Sequence, residues 1–364
     1  MVILFAGGGS LGPVTPLIAT ARALRRLVPD VTFAWAGTPD GPEREFAEAE
    51  DMEFYGVPVA KWPRYPSMRW FAFPRDVARA SRVARKVVER VKPDVVVSVG
   101  GFTAVPVIRA TSTAGIPCVI HQLDKIPSWS NRLVAKRCAS VTTSFEYERP
   151  PFGARVRTER IPTPTRFLSS DAPTRDEAVR SFGLDPARPV VLVTGGGQGA
   201  KALNEAVYRR RDAWRKKTQI IHVCGRGKMG EFESREDYLV CELLDADSMR
   251  RAYAASDVVV TRAGMGALSE IASLSKPAVV VPIPKSHQVE NIRAFAAAKS
   301  ALYVAQNQPD FADILFQQTT DLLTDAERRS MLGDATHAFL PTDDGNALAE
   351  RIVRVARPPI TPPS

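Results

Sequence analysis

The chain is poor in the residues that several protein classes depend on. Among 364 residues there are four cysteines (Cys118, Cys138, Cys224, Cys241), and no two stand in a CxxC pair. That scarcity argues against a disulfide-stapled scaffold and against a thiolate zinc site, and points to buried, reduced thiols in a cytosolic protein. The four histidines are scattered, so no metal site is expected. No stretch approaches the 18 apolar residues of a membrane span. The opening MVILFAGGGS runs straight into a strand and a glycine turn, without the basic and apolar regions of a signal peptide. Apolar residues make up 45% and charged residues 24%, the balance of a soluble globular protein, and the length allows two domains with proper cores.

What the chain does have is two glycine-rich turns, each between an apolar β-branched run and a helical pattern. One lies in ILFAGGGSLGPVTPLIATARAL, with its turn at Gly7–Gly12; the other lies in VVLVTGGGQGAKALNEAV, with its turn at Gly195–Gly199. Such turns crowd backbone N–H groups at a positive helix end, which suits phosphate. Two of them, each opening its own βα unit, predict two nucleotide-type α/β domains facing each other across a cleft. The pattern between them agrees. VILFA, VTFAWAG, DVVVSVG, IPCVIHQ and SVTTSF alternate with helical stretches, among them Glu43–Glu50, Asp76–Val91 and Asn131–Cys138. Five further strands, VVLVTG, QIIHVCG, DYLVCELL, DVVVTRAG and AVVVPIP, predict a second parallel sheet. The proline-rich stretch from Arg149 to Thr174 between the halves reads as an interdomain linker, and the tail as a helix ended by prolines.

Net charge is +9 and unevenly placed: ten Lys and Arg between Lys61 and Lys92 face only Asp76 and Glu89. The front of this stretch interleaves Trp62, Arg64, Arg69, Trp70, Phe71, Phe73 and Arg75. Aromatic rings favour the bilayer interface and cations favour anionic lipid, so contact with a membrane surface is one reading. The other is a loop with core aromatics followed by a solvated helix face. No nucleic-acid motif accompanies the charge, and no nucleic-acid partner is expected.

Seven segments in order resemble the MurG family of GT-B glycosyltransferases over nearly the whole chain. GGSLGPVTP at 8–16 is similar to its GGTGGHxxP turn, and SVGGFTAVPVIRA at 98–110 to its second glycine turn. HQLDKIPSWSNRLVAKRCASV at 121–141 resembles its HEQN segment, and IPTPTR at 161–166 its NPVR strand. VTGGGQGAKALN at 193–204, RAGMGALSEIA at 262–272 and HQVENI at 287–292 resemble GGSQGAxxLN, RSGAxTxSE and HQxxNA. The resemblance implies an α/β GT-B fold of two Rossmann-like parallel-sheet domains. These would be an acceptor and membrane-facing domain at 1–163, with the helix at 341–358 packing back on it, and a UDP-sugar domain at 164–340. Hinges would fall at 161–166 and near 340. It further implies inverting transfer of GlcNAc from UDP-GlcNAc to a polyprenyl-diphosphate-linked muramyl-pentapeptide, without metal or other cofactor. The place would be the cytoplasmic face of the cell membrane, with roles in cell wall synthesis, cell shape and division.

By the same resemblance, Gly196, Gly197 and Gln198 face the donor diphosphate, and Arg166 adds a positive charge. Met265, Gly266 and Ala267 open the helix whose Glu270 accepts from ribose hydroxyls. Gln288 and Asn291 share a helix face and read sugar hydroxyls, while His287 either binds or caps. Three glycine-bearing turns would surround the acceptor pyrophosphate, with Ser10, Gly12, Gly101, Thr103 and Asn131 as acceptor residues.

The chain departs from the family around the acceptor. The family's first-turn histidine is Pro13, HEQN reads His121, Gln122, Leu123, Asp124, and the serine of GGSQGA is Gly197. Proline moves no proton, so Asp124 is the candidate base, or else a hydrogen-bonding replacement for asparagine. Three further readings stay open: a GT-B transferase with a different lipid or glycan acceptor, a UDP-sugar-binding protein without turnover, and a sugar-nucleotide epimerase. The last would need a cluster of histidines and carboxylates that the sequence does not show.

Overall fold

A computed structural model describes residues 1–9, 12–59 and 69–357, with the backbone alone at 69–72. The chain divides into two compact units: Met1–Arg166 together with the segment from Asp343, and Phe167–Thr342. Arg166, which the sequence reading gives to the donor half, therefore closes the first unit.

The first unit runs β1 (Val2–Ala6), α1 (Val14–Leu27), β2 (Thr32–Gly37), α2 (Glu43–Glu48), β3 (Glu53–Gly56), α3 (Arg69–Val91), β4 (Val95–Ser98), α4 (Ala104–Thr113), β5 (Cys118–Gln122), α5 (Trp129–Val134), β6 (Ser140–Thr143), β7 (Glu159–Arg160) and β8 (Thr163–Pro164). Seven strands pair in the order β3-β2-β1-β4-β5-β6-β7, and those pairings are parallel. The inner strands carry β-branched and aliphatic residues buried on both faces, as helices on each side of a parallel sheet require. Leu4, Val96, Ile108 and Ile120 form the centre of its core.

The second unit runs α6 (Arg175–Ser181), β9 (Val190–Thr194), α7 (Lys201–Arg209), α8 (Arg211–Arg215), β10 (Gln219–Val223), β11 (Tyr238–Cys241), α9 (Ala246–Ala255), β12 (Val258–Thr261), α10 (Met265–Ser273), β13 (Ala278–Val280), α11 (His287–Ala297), β14 (Leu302–Tyr303), α12 (Phe311–Thr324) and α13 (Ala326–Phe339). The chain then passes through β15 (Thr342–Asp343) to α14 (Asn346–Ala356). The second sheet has the order β11-β10-β9-β12-β13-β14 and is also parallel. It holds six strands rather than the predicted five, because β14 is a two-residue edge too short to carry an apolar run. Helix α14 packs against α1, β4 and β5 of the first unit.

Two other expectations change. The proline-rich stretch is largely part of the first unit. Phe152 and Val156 are buried against Ala135 and Val141, and β7 extends the sheet. Its apolar residues are too widely spaced to show a period. Helix α3 starts at Arg69, not Asp76, with Pro74 inside it.

Candidate active site

In sheets of this order the connections leave the first strand in opposite directions and open a crevice at the strands' carboxyl ends. It falls between β1 and β4 in the first unit and between β9 and β12 in the second. The helices that begin there, α1, α4, α7 and α10, start at Pro13, Thr103, Ala200 and Gly264, and none has a side-chain cap. Helices α5, α6, α9, α11 and α13 are capped by Ser128, Thr174, Asp245, Ser286 and Asp325, whereas α2, α8, α12 and α14, away from the crevices, also lack a side-chain cap. Uncapped first-turn N–H groups at a positive helix end are donors for an anionic ligand.

In the second unit the Gly199 amide donates to Gly196 O at 2.8 Å, and the Gly196 amide to Thr194 Oγ1 at 3.2 Å. The amides of Gly197 and Gln198 have no hydrogen-bond partner among the described residues, and Gln198 is exposed. Thr261 pairs in register with Thr194, which puts Arg262 beside Gly195. Arg262 was not among the sequence candidates. It is buried, its Nη1 donates to Val281 O and Pro282 O, and its Nε has no partner among the described residues. Burial lowers its pKa to about 10, so it is a charged guanidinium held by carbonyls alone. The signal for it was present as the first residue of RAGMGALSEIA.

Met265, Gly266 and Ala267 form the first turn of α10, and Glu270 lies buried in its second. The Gln288 side chain accepts from Ile283 N at 3.1 Å, and its Nε2 lies 3.8 Å from where a Gly264 Cβ would stand. Asn291 is fully buried and its Nδ2 donates to Ala263 O at 3.2 Å. Asn291 thus braces the strand-to-helix turn that opens α10, and Gln288 lies beside it. His287 is not the cap of α11; Ser286 is, accepting from Gln288 N.

In the first unit the two glycine turns touch. A Cβ on Gly101, whose φ is +106°, would stand 2.9 Å from both Gly8 N and Gly8 O, so this contact admits only glycine. Asn131, on α5, sits over Gly100 and donates from Nδ2 to Gln122 Oε1 at 2.7 Å. The Thr103 hydroxyl is buried without a partner among the described residues. Gln122 in turn donates to Asp124 O at 2.8 Å, and Tyr147 OH does so at 3.1 Å, fixing the loop that carries the half-buried Asp124. Gly12 lies just ahead of α1, and Ser10 lies outside the described residues.

The first turn is not the open anion cradle that the sequence reading expects. The fully buried Glu43, at the start of α2, accepts from Gly9 N at 3.1 Å and Thr38 N at 2.5 Å. A carboxylate already takes the Gly9 donor, so the backbone donors left at this crevice are those of the α1 and α4 N-termini. No periodicity reveals this, since Glu43 reads as one charge on a charged helix. His121 is a core histidine: its Nδ1 meets Thr142 Oγ1 at 2.9 Å, its Nε2 meets Ser144 Oγ at 3.0 Å, and burial lowers its pKa to about 3.

Of the expected membrane residues, Trp62 and Arg64 lie outside the described residues. Arg69, Trp70 and Phe71 are in the first turn of α3, Phe73 is half-buried and Arg75 exposed. The structure adds an apolar surface that the sequence reading missed. Trp129 and Leu133, four apart on α5, are 77% and 63% exposed, and Ile126 and Phe102 are exposed as well. Arg132, Lys136 and Arg137 are exposed within the same stretch. This surface adjoins the acceptor crevice, because Gly100 lies against Ser128 and Asn131.

Comparison with known proteins shows the same two halves. Residues 3–143 match the glycosyltransferase family 28 N-terminal domain, and residues 190–342 match its C-terminal domain. A curated protein of Nocardioides sp. is 36% identical over 98% of both chains. It is named UDP-N-acetylglucosamine--N-acetylmuramyl-(pentapeptide) pyrophosphoryl-undecaprenol N-acetylglucosamine transferase. A protein of the same name from Clavibacter michiganensis is 35% identical over 98% of this chain and 96% of its own. Among solved structures, Acinetobacter baumannii MurG superposes with a TM-score of 0.72 at 22% identity, over 97% of this chain and 99% of that one. UDP-GlcNAc 2-epimerase from Neisseria meningitidis, bound to UDP-GlcNAc, superposes with a TM-score of 0.68 at 12% identity, over 97% of this chain and all of that one.

Proposed function

This chain belongs to glycosyltransferase family 28 and, within it, to the MurG family, and from that premise we propose that it transfers GlcNAc from UDP-GlcNAc to the polyprenyl-diphosphate-linked muramyl-pentapeptide of peptidoglycan synthesis. The observation that carries the reading is the pair of crevices, each opened by two uncapped helices, in a chain alike over its whole length to the named transferases. The epimerase likeness is one of fold alone, at 12% identity.

The second unit takes the donor. Departure of UDP places negative charge on the β-phosphate, which the Gly197 and Gln198 amides, the α10 N-terminus and Arg262 stabilise. A single preorganised donor of this kind is worth roughly 10²–10³ in rate. Glu270 accepts from the ribose hydroxyls, and the Gln288 amide beside Gly264 meets the sugar. The first unit takes the acceptor, with Thr103 Oγ1 supplying an unpaired polar atom and Asn131 over Gly100, while Arg166 adds positive charge for the donor. The acceptor hydroxyl attacks C1 from the face opposite UDP. Its proton passes to Asp124, the C1–O bond to the diphosphate breaks with its electron pair, and a β-linkage forms. General-base help of this kind is worth roughly 10²–10⁴-fold.

The enzyme works at the cytoplasmic face of the membrane as a peripheral protein. Among the described residues no helix is long and apolar enough to cross a bilayer, whereas Trp129, Leu133 and the nearby cations suit its interface. The test is UDP release from UDP-GlcNAc with a lipid-linked muramyl-pentapeptide analogue. Release at the buffer rate overturns the transferase reading. Asp124→Asn is expected to lower kcat about 100-fold with little change in KM, and unchanged turnover would remove Asp124 as base.

A further inference from the structure

We propose that Lys228 is a diphosphate-binding residue of the donor site. The inference rests on the donor reading above. Lys228 belongs to the loop after β10, GRGKMG at 225–230, which none of the seven family-like segments includes. The glycines of this loop lock it onto the phosphate-facing turn. A Cβ on Gly225, whose φ is +96°, would stand 2.3 Å from Gly199 Cα. A Cβ on Gly199, whose φ is +66°, would stand 2.1 Å from Cys224 O and 2.9 Å from Lys228 Cδ. Each glycine is thus required by the other loop's backbone, and the alkyl chain of Lys228 lies over Gly199 in the space a side chain there would fill. The Arg226 amide, 3.5 Å from Gly197 O, adds a backbone contact between the two loops.

The charge is available. Lys228 is half-buried, and its ammonium makes no ion pair or hydrogen bond among the described residues. An unpaired cation whose alkyl chain lies over Gly199, next in the chain to the unbonded Gly197 and Gln198 amides, is a donor of the kind a nucleoside diphosphate takes. Lysine acts there as a point charge on phosphate oxygens and needs no fixed fork geometry. Gly197 carries no side chain, so the turn offers a diphosphate backbone donors, and the interlocked loop adds a charged one from the adjacent strand's end.

The test titrates the full chain with UDP and, separately, with uridine, at low and high salt. Lys228→Gln is expected to weaken UDP binding roughly tenfold, to flatten its salt dependence and to leave uridine binding unchanged. Lys228→Arg should restore most of the affinity. Gly197 is not in the left-handed region, so its backbone conformation suits serine, and Gly197→Ser should recover part of the loss in the Lys228→Gln background. UDP binding by Lys228→Gln equal to that of the unaltered chain overturns the proposal. So does an equal loss for UDP and uridine, the mark of a collapsed loop. Failure of the unaltered chain to bind either nucleotide would instead overturn the donor site itself.

Discussion

At the scale of single residues, buried polar groups decide more than their number suggests. Glu43 joins the β1–α1 turn to the β2–α2 turn through two backbone donors, Gly9 N and Thr38 N. Glu43→Gln keeps the volume but turns one acceptor into a donor that faces an N–H. A loss of about 1–3 kcal/mol in urea denaturation is expected, together with a higher KM for the acceptor and an unchanged UDP affinity. An unchanged midpoint would show that the carboxylate does not hold the turn. His121 and His222 give a pH signature. Burial lowers their pKa values from 6.5 to about 3 and about 4. The unfolded chain therefore takes up protons first as pH falls. The stabilisation is complete above about pH 6.5, and each histidine removes roughly 1.4 kcal/mol per pH unit below it, down to its folded pKa. Denaturation midpoints between pH 7 and 5 measure this, and a flat profile would contradict the burial. Residue type and spacing did not disclose these roles, because a lone glutamate or histidine reads alike on a surface and in a core until its neighbours are placed.

At the scale of elements, apolar period carried most of the correct assignments. VVLVT and VVVT could only be buried parallel strands, and the glycine turns after β1, β4 and β9 stand where the sequence reading put them. The stretch after β6 shows where that signal ends. Phe152 and Val156 lie among prolines without period, yet both are buried. Phe152→Ala is expected to lower stability by about 3 kcal/mol, where a solvated linker would register nearly nothing; chemical denaturation distinguishes the two. Helix α5 is the reverse case. Its six residues are too few for an amphipathic pattern, so the outward Trp129 and Leu133 became visible only once Ser130, Asn131 and Val134 were seen to face inward. Replacing Trp129 and Leu133 with serine is expected to reduce sedimentation with anionic vesicles about tenfold while leaving the fold intact, since exposed side chains contribute little to stability.

At the scale of the whole molecule, two sheets of the same winding stand in separate units. The groups proposed for the donor, Gln198, Arg262 and Glu270, belong to Phe167–Thr342, and those proposed for the acceptor, with the α5 surface, belong to the other unit. The substitutions below fall in separate units and are read out separately, so their effects should add. Glu270→Ala is expected to weaken UDP binding about tenfold without altering vesicle binding, the α5 serine pair to do the opposite, and the triple variant to show both losses at full size. A vesicle defect in Glu270→Ala would break that separation. The amino-acid sequence alone determined the two-domain α/β plan, the glycine turns and the family, because strand period, turn chemistry and motif order are local and survive without coordinates. Only the tertiary structure decided which carboxylate fills the first turn, which glycines interlock to present Lys228, that Arg166 closes the first unit, and that Phe152 is core. Each of these depends on residues distant in the chain meeting at van der Waals or hydrogen-bond range, and separation along a sequence carries no record of that.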